Sequence, residues 1–351
     1  MRGGAGQQGR PSAVACVGEG LVVLSGADAE SLDAARVLRR SVGGAECNVA
    51  SGLVAQGVAA AWLSRVGDDP FGRFVVADLA GRGVDVAAVD VDLSRPTGLY
   101  LKDRDGSSSR MHYYRNGSAA SAMDADWLAS DAVTAALAAA EILHVSGITL
   151  GVVADPGAFV DALDAARQRH GLRLTVDLNW RPALWGQRDP VELVRLLSLA
   201  DLAFLGADEA QTALGTGDVA SLRTRLGERP VIVLKSDDHV AVSAAPDGRT
   251  ASVSALTVDV LDPIGAGDAF AAGYLAGTLD GRPAQQCLRL GHLTAATVLV
   301  TDGDHAPAAP AAVRQALLTC PDEQWAATVV RAGAIESPAL HPSQPVEERS
   351  R

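Results

Sequence analysis

Four consecutive residues, Gly265-Ala266-Gly267-Asp268, stand at the head of the apolar run "AFAAGYLAG". Glycine and alanine leave backbone N–H groups uncovered, and a helix start presents unpaired donors with about half a positive charge behind them. Such a concave donor array suits a group that gains negative charge, such as a phosphoryl in transfer. A carboxylate in the same space repels phosphate unless it has a task, and the natural task is to accept the proton of an attacking hydroxyl. The plain alternative is that Asp268 caps the helix, a position where aspartate is favoured. These residues by themselves leave both readings open.

Other routes to phosphate or group-transfer chemistry are missing. A Walker A loop needs Gly-Lys before Ser or Thr, but the chain has two lysines, Lys102 and Lys235, and both follow leucine. The dinucleotide fingerprint fails at "GEGLVV", with Val23 in the third glycine position, and at "GAGDAF", with Phe270 there. No His-Glu-x-x-His or Cys/His cluster supports zinc, and no Gly-x-Ser-x-Gly elbow supports a serine hydrolase. His144, near the end of an apolar run, reads as a core or rim residue.

Elements that could position such a site are legible in the apolar pattern. The chain has 351 residues, 48% hydrophobic, with a formal net charge of −12. That is ample for a large core and speaks against a nucleic-acid or membrane-surface binder, which needs a basic face. Four scattered cysteines without a Cys-x-x-Cys pair, no apolar run of about 18 residues and no signal-like start give the expectation of a cytoplasmic protein with reduced thiols. Buried strands are expected at 13–19, 59–67, 141–148, 172–179, 201–207 and 230–236. Helices are expected at 46–56, 70–82, 156–169, 190–198 and 267–280. Strand–helix alternation of this kind predicts a parallel sheet covered on both faces. Segments 35–44 and 97–119 break the alternation and read as antiparallel strands of a small inserted sheet, the second turning at Asp105-Gly106. Residues 1–12 and roughly 335–351 read as tails.

Three blocks in order, "SVGGAECNVASGLVAQG" (41–57), "SRVGDDPFGRFVVADLAGRGVD" (64–85) and "DPIGAGDAFAAGYLAG" (262–277), resemble the ribokinase-like (PfkB) family of carbohydrate kinases over roughly residues 13–320. The resemblance implies a three-layer α/β sandwich: a mostly parallel central sheet, with a small β lid formed by segments about 20–43 and 95–119. Residues 321–351 would be a C-terminal extension. It also implies transfer of the γ-phosphoryl of ATP to a sugar hydroxyl with Mg²⁺, Asp268 as base and Gly265, Ala266 and Gly267 as anion hole. Lid strands of the family often pair between subunits, so a homodimer is expected.

Within the family, "TGLYL" (97–101), "YYRNGSAAS" (113–121) and "DLNWRPALW" (177–185) are similar to the branch acting on an acidic sugar, 2-keto-3-deoxygluconate. The resemblance places Tyr100, Tyr113, Arg115 and Arg181 against that sugar acid, and Gly43, Gly44 and Asn48 against its hydroxyls. Tyr113 rather than Tyr114 is chosen because it shares a strand face with Arg115. Two arginines converging on one pocket also call for an anion to pair them, and a carboxylate accepts bidentate bonds from both. The simple alternatives are a solvated Arg115 and an Arg181 paired with a neighbour such as Asp177. Lys235, Ser236 and Asp262, with Gly265 and Gly267, fall on the nucleotide side, and Glu209 on the Mg²⁺ side, acting through water. The chain departs from the family at Gly206, where asparagine is usual. It departs again at Ser236 and His239, where glycines are common, and at Asp237 and Asp238, which add charge near a polyanion. The stretch 301–310 is expected to close over the adenine. Those departures keep two alternatives in view: a kinase for a neutral ketose such as fructose, and a non-catalytic sensor of a sugar acid.

Overall fold

The computed structural model describes residues 12–27, 31–105, 108–186 and 188–340. In chain order the strands are β1 (Val14–Val17), β2 (Leu21–Gly26), β3 (Leu38–Gly43), β4 (Ala60–Gly67), β5 (Val89–Asp92), β6 (Leu99–Asp105), β7 (Ser108–Tyr114), β8 (Ile142–Ser146), β9 (Arg173–Asp177), β10 (Leu202–Gly206), β11 (Val231–Lys235), β12 (Val240–Ala244), β13 (Thr250–Ser254), β14 (Thr257–Val258), β15 (Val329–Arg331) and β16 (Ala334–Glu336). The helices are α1 (Ala45–Ala55), α2 (Pro70–Gly81), α3 (Ala125–Leu128), α4 (Asp131–Ala139), α5 (Gly147–Val152), α6 (Pro156–His170), α7 (Pro182–Trp185), α8 (Val191–Leu199), α9 (Ala207–Leu214), α10 (Val219–Leu226), α11 (Ala266–Leu279), α12 (Ala284–Leu299), α13 (Ala311–Thr319) and α14 (Asp322–Ala326).

Among the described residues the main sheet runs β13-β12-β11-β10-β9-β8-β1-β4-β5. Its core is parallel, and the only antiparallel pairings are β11–β12 and β12–β13, at one edge, so β12 alone runs against the rest. Successive residues of β1 show why both faces are covered. Val14 and Cys16 enter the apolar cluster under α1, α2, α11 and α12, whereas Ala15 and Val17 enter the cluster under α4, α6, α8 and α10. Period-two alternation sends neighbouring side chains to opposite faces, so a strand covered twice must be apolar throughout. Helix starts follow local chemistry. Asp69 accepts from the amides of Phe71 and Gly72 ahead of α2, and Asp155 accepts from Ala158 ahead of α6.

The smaller sheet runs β3-β2-β6-β7 and forms the lid. It is mixed rather than purely antiparallel, because β2 and β6 leave the body in the same direction and pair parallel between the two antiparallel edges. The expected turn at Asp105-Gly106 includes Gly106, which lies outside the described residues. Residues 321–340 are not a loose extension. Trp325 and Val330 are buried, and β15 pairs with β14 of the body. Ordered structure therefore runs past the expected tail boundary near 335, through β16 to Leu340; residues 1–11 and 341–351 lie outside the described residues. All four cysteines are free, three of them buried, and no helix among the described residues is long and apolar enough to cross a membrane.

Helices α11 and α12 pack as an antiparallel pair whose closest approach runs through Gly273. A Cβ there would fall 2.5 Å from the Leu290 carbonyl oxygen and 2.5 Å from Thr294 Oγ1. Backbone cannot yield as a flexible side chain can, so Gly273→Ala is expected to lower unfolding stability by about 1–3 kcal/mol. Urea melts of the two proteins check this, with an unchanged m-value expected.

Candidate active site

Helix α11 does not begin with a side-chain cap. Its N-cap is Gly265 at φ 78, with no side-chain hydrogen bond to the first turn. That backbone region favours glycine, and a Cβ at Gly265 would also stand 3.0 Å from the Asp304 carbonyl oxygen. Asp268 sits one turn in, and its carboxylate takes Asn48 Nδ2 at 2.8 Å and Asn179 Nδ2 at 3.4 Å. The capping reading is thereby corrected: Asp268 stands in the first turn rather than at the N-cap, and no side chain caps the helix start.

Asp268 opens onto a cavity of about 360 Å³ roofed by Tyr100, Met111, Tyr113 and Arg115 of the lid. The floor comes from the carboxyl ends of parallel strands. Glu19 follows β1, Asp177 ends β9, Asn179 and Arg181 follow it, Glu209 lies just past β10, and Lys235 ends β11. The chain leaves β1 toward β4 on one side and later returns to β8 on the other, and crevices at such a switch point are where α/β sheets bind ligands. Gly44, at φ 127, lets the start of α1 approach that edge, since a Cβ there would fall 2.3 Å from the Glu19 carbonyl oxygen.

Cavity charges are arranged in pairs with two exceptions. Arg115 forms an ion pair with buried Glu19, which also accepts from the Ser118 hydroxyl at 2.5 Å. Arg181 Nη1 pairs with Glu209 Oε1 at 2.6 Å, and Lys235 Nζ stands 3.9 Å from Asp177 Oδ2. Asp268 and Asp304 have no cation pair among the described residues. Burial pushes the Asp268 carboxyl up to about 8; Asn48 opposes that rise, while Asp177 and Glu46 add to it. Burial likewise pushes Asp304 up to about 6 against the pull of Lys102.

Of the residues marked in the sequence, Gly44, Asn48, Tyr100, Tyr113, Arg115, Arg181, Glu209, Lys235, Gly265, Gly267 and Asp268 all line this one cavity. Ala266 lies between two lining glycines. Gly43 sits behind the wall, where a Cβ would stand 3.1 Å from both Tyr100 Oη and Asp304 Oδ2. Ser236 is turned into its own loop, its hydroxyl within hydrogen-bond reach of both Asp238 Oδ1 and the Val240 carbonyl. Asp262 faces Lys102. Tyr113 contacts Tyr100 with ring centroids 5.2 Å apart, while Tyr114 does not line the cavity.

Two expectations are corrected. Arg115 and Arg181 each have a protein carboxylate as partner, so no substrate anion is needed to neutralise them. Arg181 pairs with Glu209, not with Asp177. Asp304, within the stretch 301–310, reaches the lid side of the cavity, where it accepts from Tyr100 Oη at 3.4 Å. Glu19, Asp177, Asn179 and Asp304 are cavity residues that sequence reasoning missed. The available signal was polar residues directly after an apolar strand, in "GEG" and "DLN". Asn179 also holds φ 34, a sparsely populated conformation of the kind that marks functional sites.

At the former glycine positions, His239 keeps a left-handed backbone at φ 62, and Asp237 and Asp238 are exposed, so the turn geometry survives with its charges in solvent. Among the described residues no three Asp, Glu, His or Cys side chains are grouped to hold a metal ion by themselves. Mg²⁺ brought in with a nucleotide needs only one or two protein carboxylates besides phosphate and water, and Asp177 and Glu209 supply that donor chemistry.

Residues 12–312 match the pfkB family carbohydrate kinase model. The chain belongs to the pfkB family of carbohydrate kinases. A 2-dehydro-3-deoxygluconokinase of Thermoproteus tenax is 33% identical over 87% of this chain and 95% of its own length. A fructokinase of Klebsiella pneumoniae is 34% identical over 67% of this chain and 76% of its own. An E. coli structure called ribokinase II, solved with ATP and Mg²⁺, superposes with a TM-score of 0.75, covering 87% of this chain and 98% of that one at 20% identity. Likeness at that identity is a likeness of fold. This kinase thus has the family's ribokinase-like fold, with a nine-stranded sheet and a small lid sheet among the described residues.

An Asp268 that acts as general base, with its carboxyl pushed up by burial, would leave two signatures. Activity read as kcat/KM is expected to climb as Asp268 ionises, with a midpoint near pH 8, and Asp268→Asn is expected to lower kcat by about 10²–10⁴. The stability effect has the opposite sense. A carboxyl whose folded pKa lies above its unfolded value stabilises the fold fully when protonated, and that contribution is lost as pH rises through the folded pKa. Asp268→Asn is therefore expected to melt above wild type at pH 8, the gap closing near the ordinary carboxylate value of about 4. A gap that does not change with pH contradicts this assignment.

Proposed function

We propose that this kinase transfers the γ-phosphoryl of ATP to the 6-hydroxyl of 2-keto-3-deoxygluconate. The observation that carries the reading is one cavity holding a half-buried carboxylate without a cation pair, Asp268, together with both arginines marked by the acidic-sugar branch. The 33% likeness to a 2-dehydro-3-deoxygluconokinase over nearly the whole chain supports it.

Asp268 accepts the hydroxyl proton as that oxygen bonds to the γ-phosphorus and the bond to the bridging oxygen of ADP breaks. Asn48 and Asn179 hold the carboxylate, while their own Oδ1 atoms, buried without hydrogen-bond partners, accept from sugar hydroxyls. Amides of Ala266, Gly267 and Asp268 receive the charged phosphoryl oxygens, and Lys235 adds a cation beside them. Mg²⁺ neutralises phosphate charge when bound, and Glu209 and Asp177 are the residues that would support it. A cavity of about 470 Å³ lined by Leu256, Val260, His292 and Leu299, next to the Asp238–His239 turn, takes the nucleotide base. Closure of the lid excludes water from the transfer.

The sugar carboxylate is read by Arg181 and Arg115. The Arg181–Glu209 pair is half exposed, and exposed pairs are worth little, so a substrate carboxylate can displace Glu209 at low cost. Arg115 stays with Glu19 and still offers a buried Nε without a hydrogen-bond partner. The exposed apolar residues Val37, Leu38, Tyr113 and Tyr114 of the lid favour a homodimer joined through lid sheets; light scattering giving the mass of one chain would overturn that.

A second reading, a kinase for a neutral ketose, is favoured by the internal pairing of both arginines and by the fructokinase likeness. ATP-dependent phosphorylation of 2-keto-3-deoxygluconate, its galactonate epimer, fructose and ribose separates the two. The expected result is turnover of the keto-deoxy acids, with Arg181→Met raising their KM by at least about tenfold at similar kcat. Turnover confined to fructose sinks the acid-sugar reading and leaves Asp268 as base.

A further inference from the structure

Lys102 is one of only two lysines in a chain of 351 residues, and the other, Lys235, lines the cavity. Lys102 is 4% exposed, although it lies on a lid strand whose neighbours Leu101 and Asp103 are half-buried. Strand alternation puts Tyr100 and Lys102 on the same face of β6, and both reach down to body loops flanking the α11–α12 pair. Lys102 Nζ binds the carboxylate of Asp262, which is 2% exposed. Tyr100 Oη donates to Asp304.

Each of those carboxylate residues also shapes the anion-binding loop by another atom. Asp262 Oδ1 accepts the Ile264 amide at 3.2 Å, fixing the turn that leads into Gly265. The Asp304 main chain backs Gly265 closely, its carbonyl oxygen 3.0 Å from where a Cβ would stand. Lid and loop are therefore joined by two adjacent contacts from one strand face.

We infer that Lys102 is a positioning residue: its buried ion pair with Asp262 makes seating of the lid and setting of the Gly265–Gly267 loop a single event. The lid then does more than cover the sugar. Its departure removes the cation that fixes Asp262 and loosens the loop that receives the phosphoryl, so the open enzyme is a poor catalyst of transfer to water. This goes beyond the proposed substrate and does not depend on which sugar is phosphorylated.

Three variants and one labelling measurement test it. Lys102→Met leaves Asp262 buried without its cation, and Asp262→Asn does the reverse while keeping an oxygen for the Ile264 amide. Either can lose stability for that reason alone. The double variant Lys102→Met/Asp262→Asn removes both charges. A merely structural pair predicts that the double variant recovers both Tm and kcat. The positioning role predicts that Tm recovers while kcat stays down by about 10- to 100-fold, with a smaller change in the KM of whichever sugar the wild type turns over best.

Reductive methylation of the full chain, followed by peptide mass spectrometry, reads lid seating without any substrate. Lys102 is expected to react at least tenfold more slowly than Lys235 in wild type, and markedly faster in Asp262→Asn. Lys102 reacting as fast as Lys235 in the folded wild type, or full kcat in the double variant, overturns the inference. Because the labelling needs no sugar, failure of the keto-deoxy acid reading leaves this test standing.

Discussion

A half-buried carboxylate with no cation pair among the described residues is the constraint around which this kinase is arranged. In the proposed reaction Asp268 takes a hydroxyl proton; no cation pairs with it among the described residues, and two asparagine amides hold it. Amides are the suitable holders because they donate hydrogen bonds without the charge that would pull the pKa down. The holders come from α1 and from the loop after β9, while the base rides on α11. The sheet exists, in functional terms, to bring those three elements to one edge.

The same economy governs the cations. Four carboxylates near the base are each joined to an Arg or Lys: Glu19 to Arg115, Glu209 to Arg181, Asp177 to Lys235 and Asp262 to Lys102. The pairs differ in burial, and burial decides their use. Lys102–Asp262 and Arg115–Glu19 are sealed, and breaking either leaves a stranded charge. Arg181–Glu209 is wet and exchangeable, which makes it the natural place for a ligand to intrude.

Much of this was legible in the sequence because its signals are local. The strand cores are continuous apolar runs, Gly265-Ala266-Gly267-Asp268 is a contiguous motif, and the order of the family's signature blocks fixes the topology. Glu19, Asn179 and Asp304 were not legible as cavity residues, since each becomes functional only when a distant segment is placed against it. Asn48 lies 220 residues from Asp268, and Tyr100 lies 204 from Asp304. No period or spacing carries such information. Charge partners failed for a related reason. Arginine pairs with whichever carboxylate the tertiary fold presents, and Glu209 was presented to Arg181 by a neighbouring strand, not by sequence proximity. The parallel pairing inside the lid was missed because β2 and β6 meet across a long stretch of sequence that no local pattern reports.

The position of α11 and α12 in the chain has a consequence for biosynthesis. The main sheet is complete at Ser254, the end of β13, but the face formed by Phe204, Val233, Ala241 and Val253 is covered by helices that come later. A chain emerging from the ribosome N-terminus first therefore carries a finished sheet with the part of that side not covered by α1 and α2 left bare until about residue 299, where α12 ends. That interval is when the nascent protein is most adhesive. A stalled or truncated product ending before α11 would have every strand of that sheet, no base and an unshielded greasy surface, making it a substrate for chaperones rather than an enzyme.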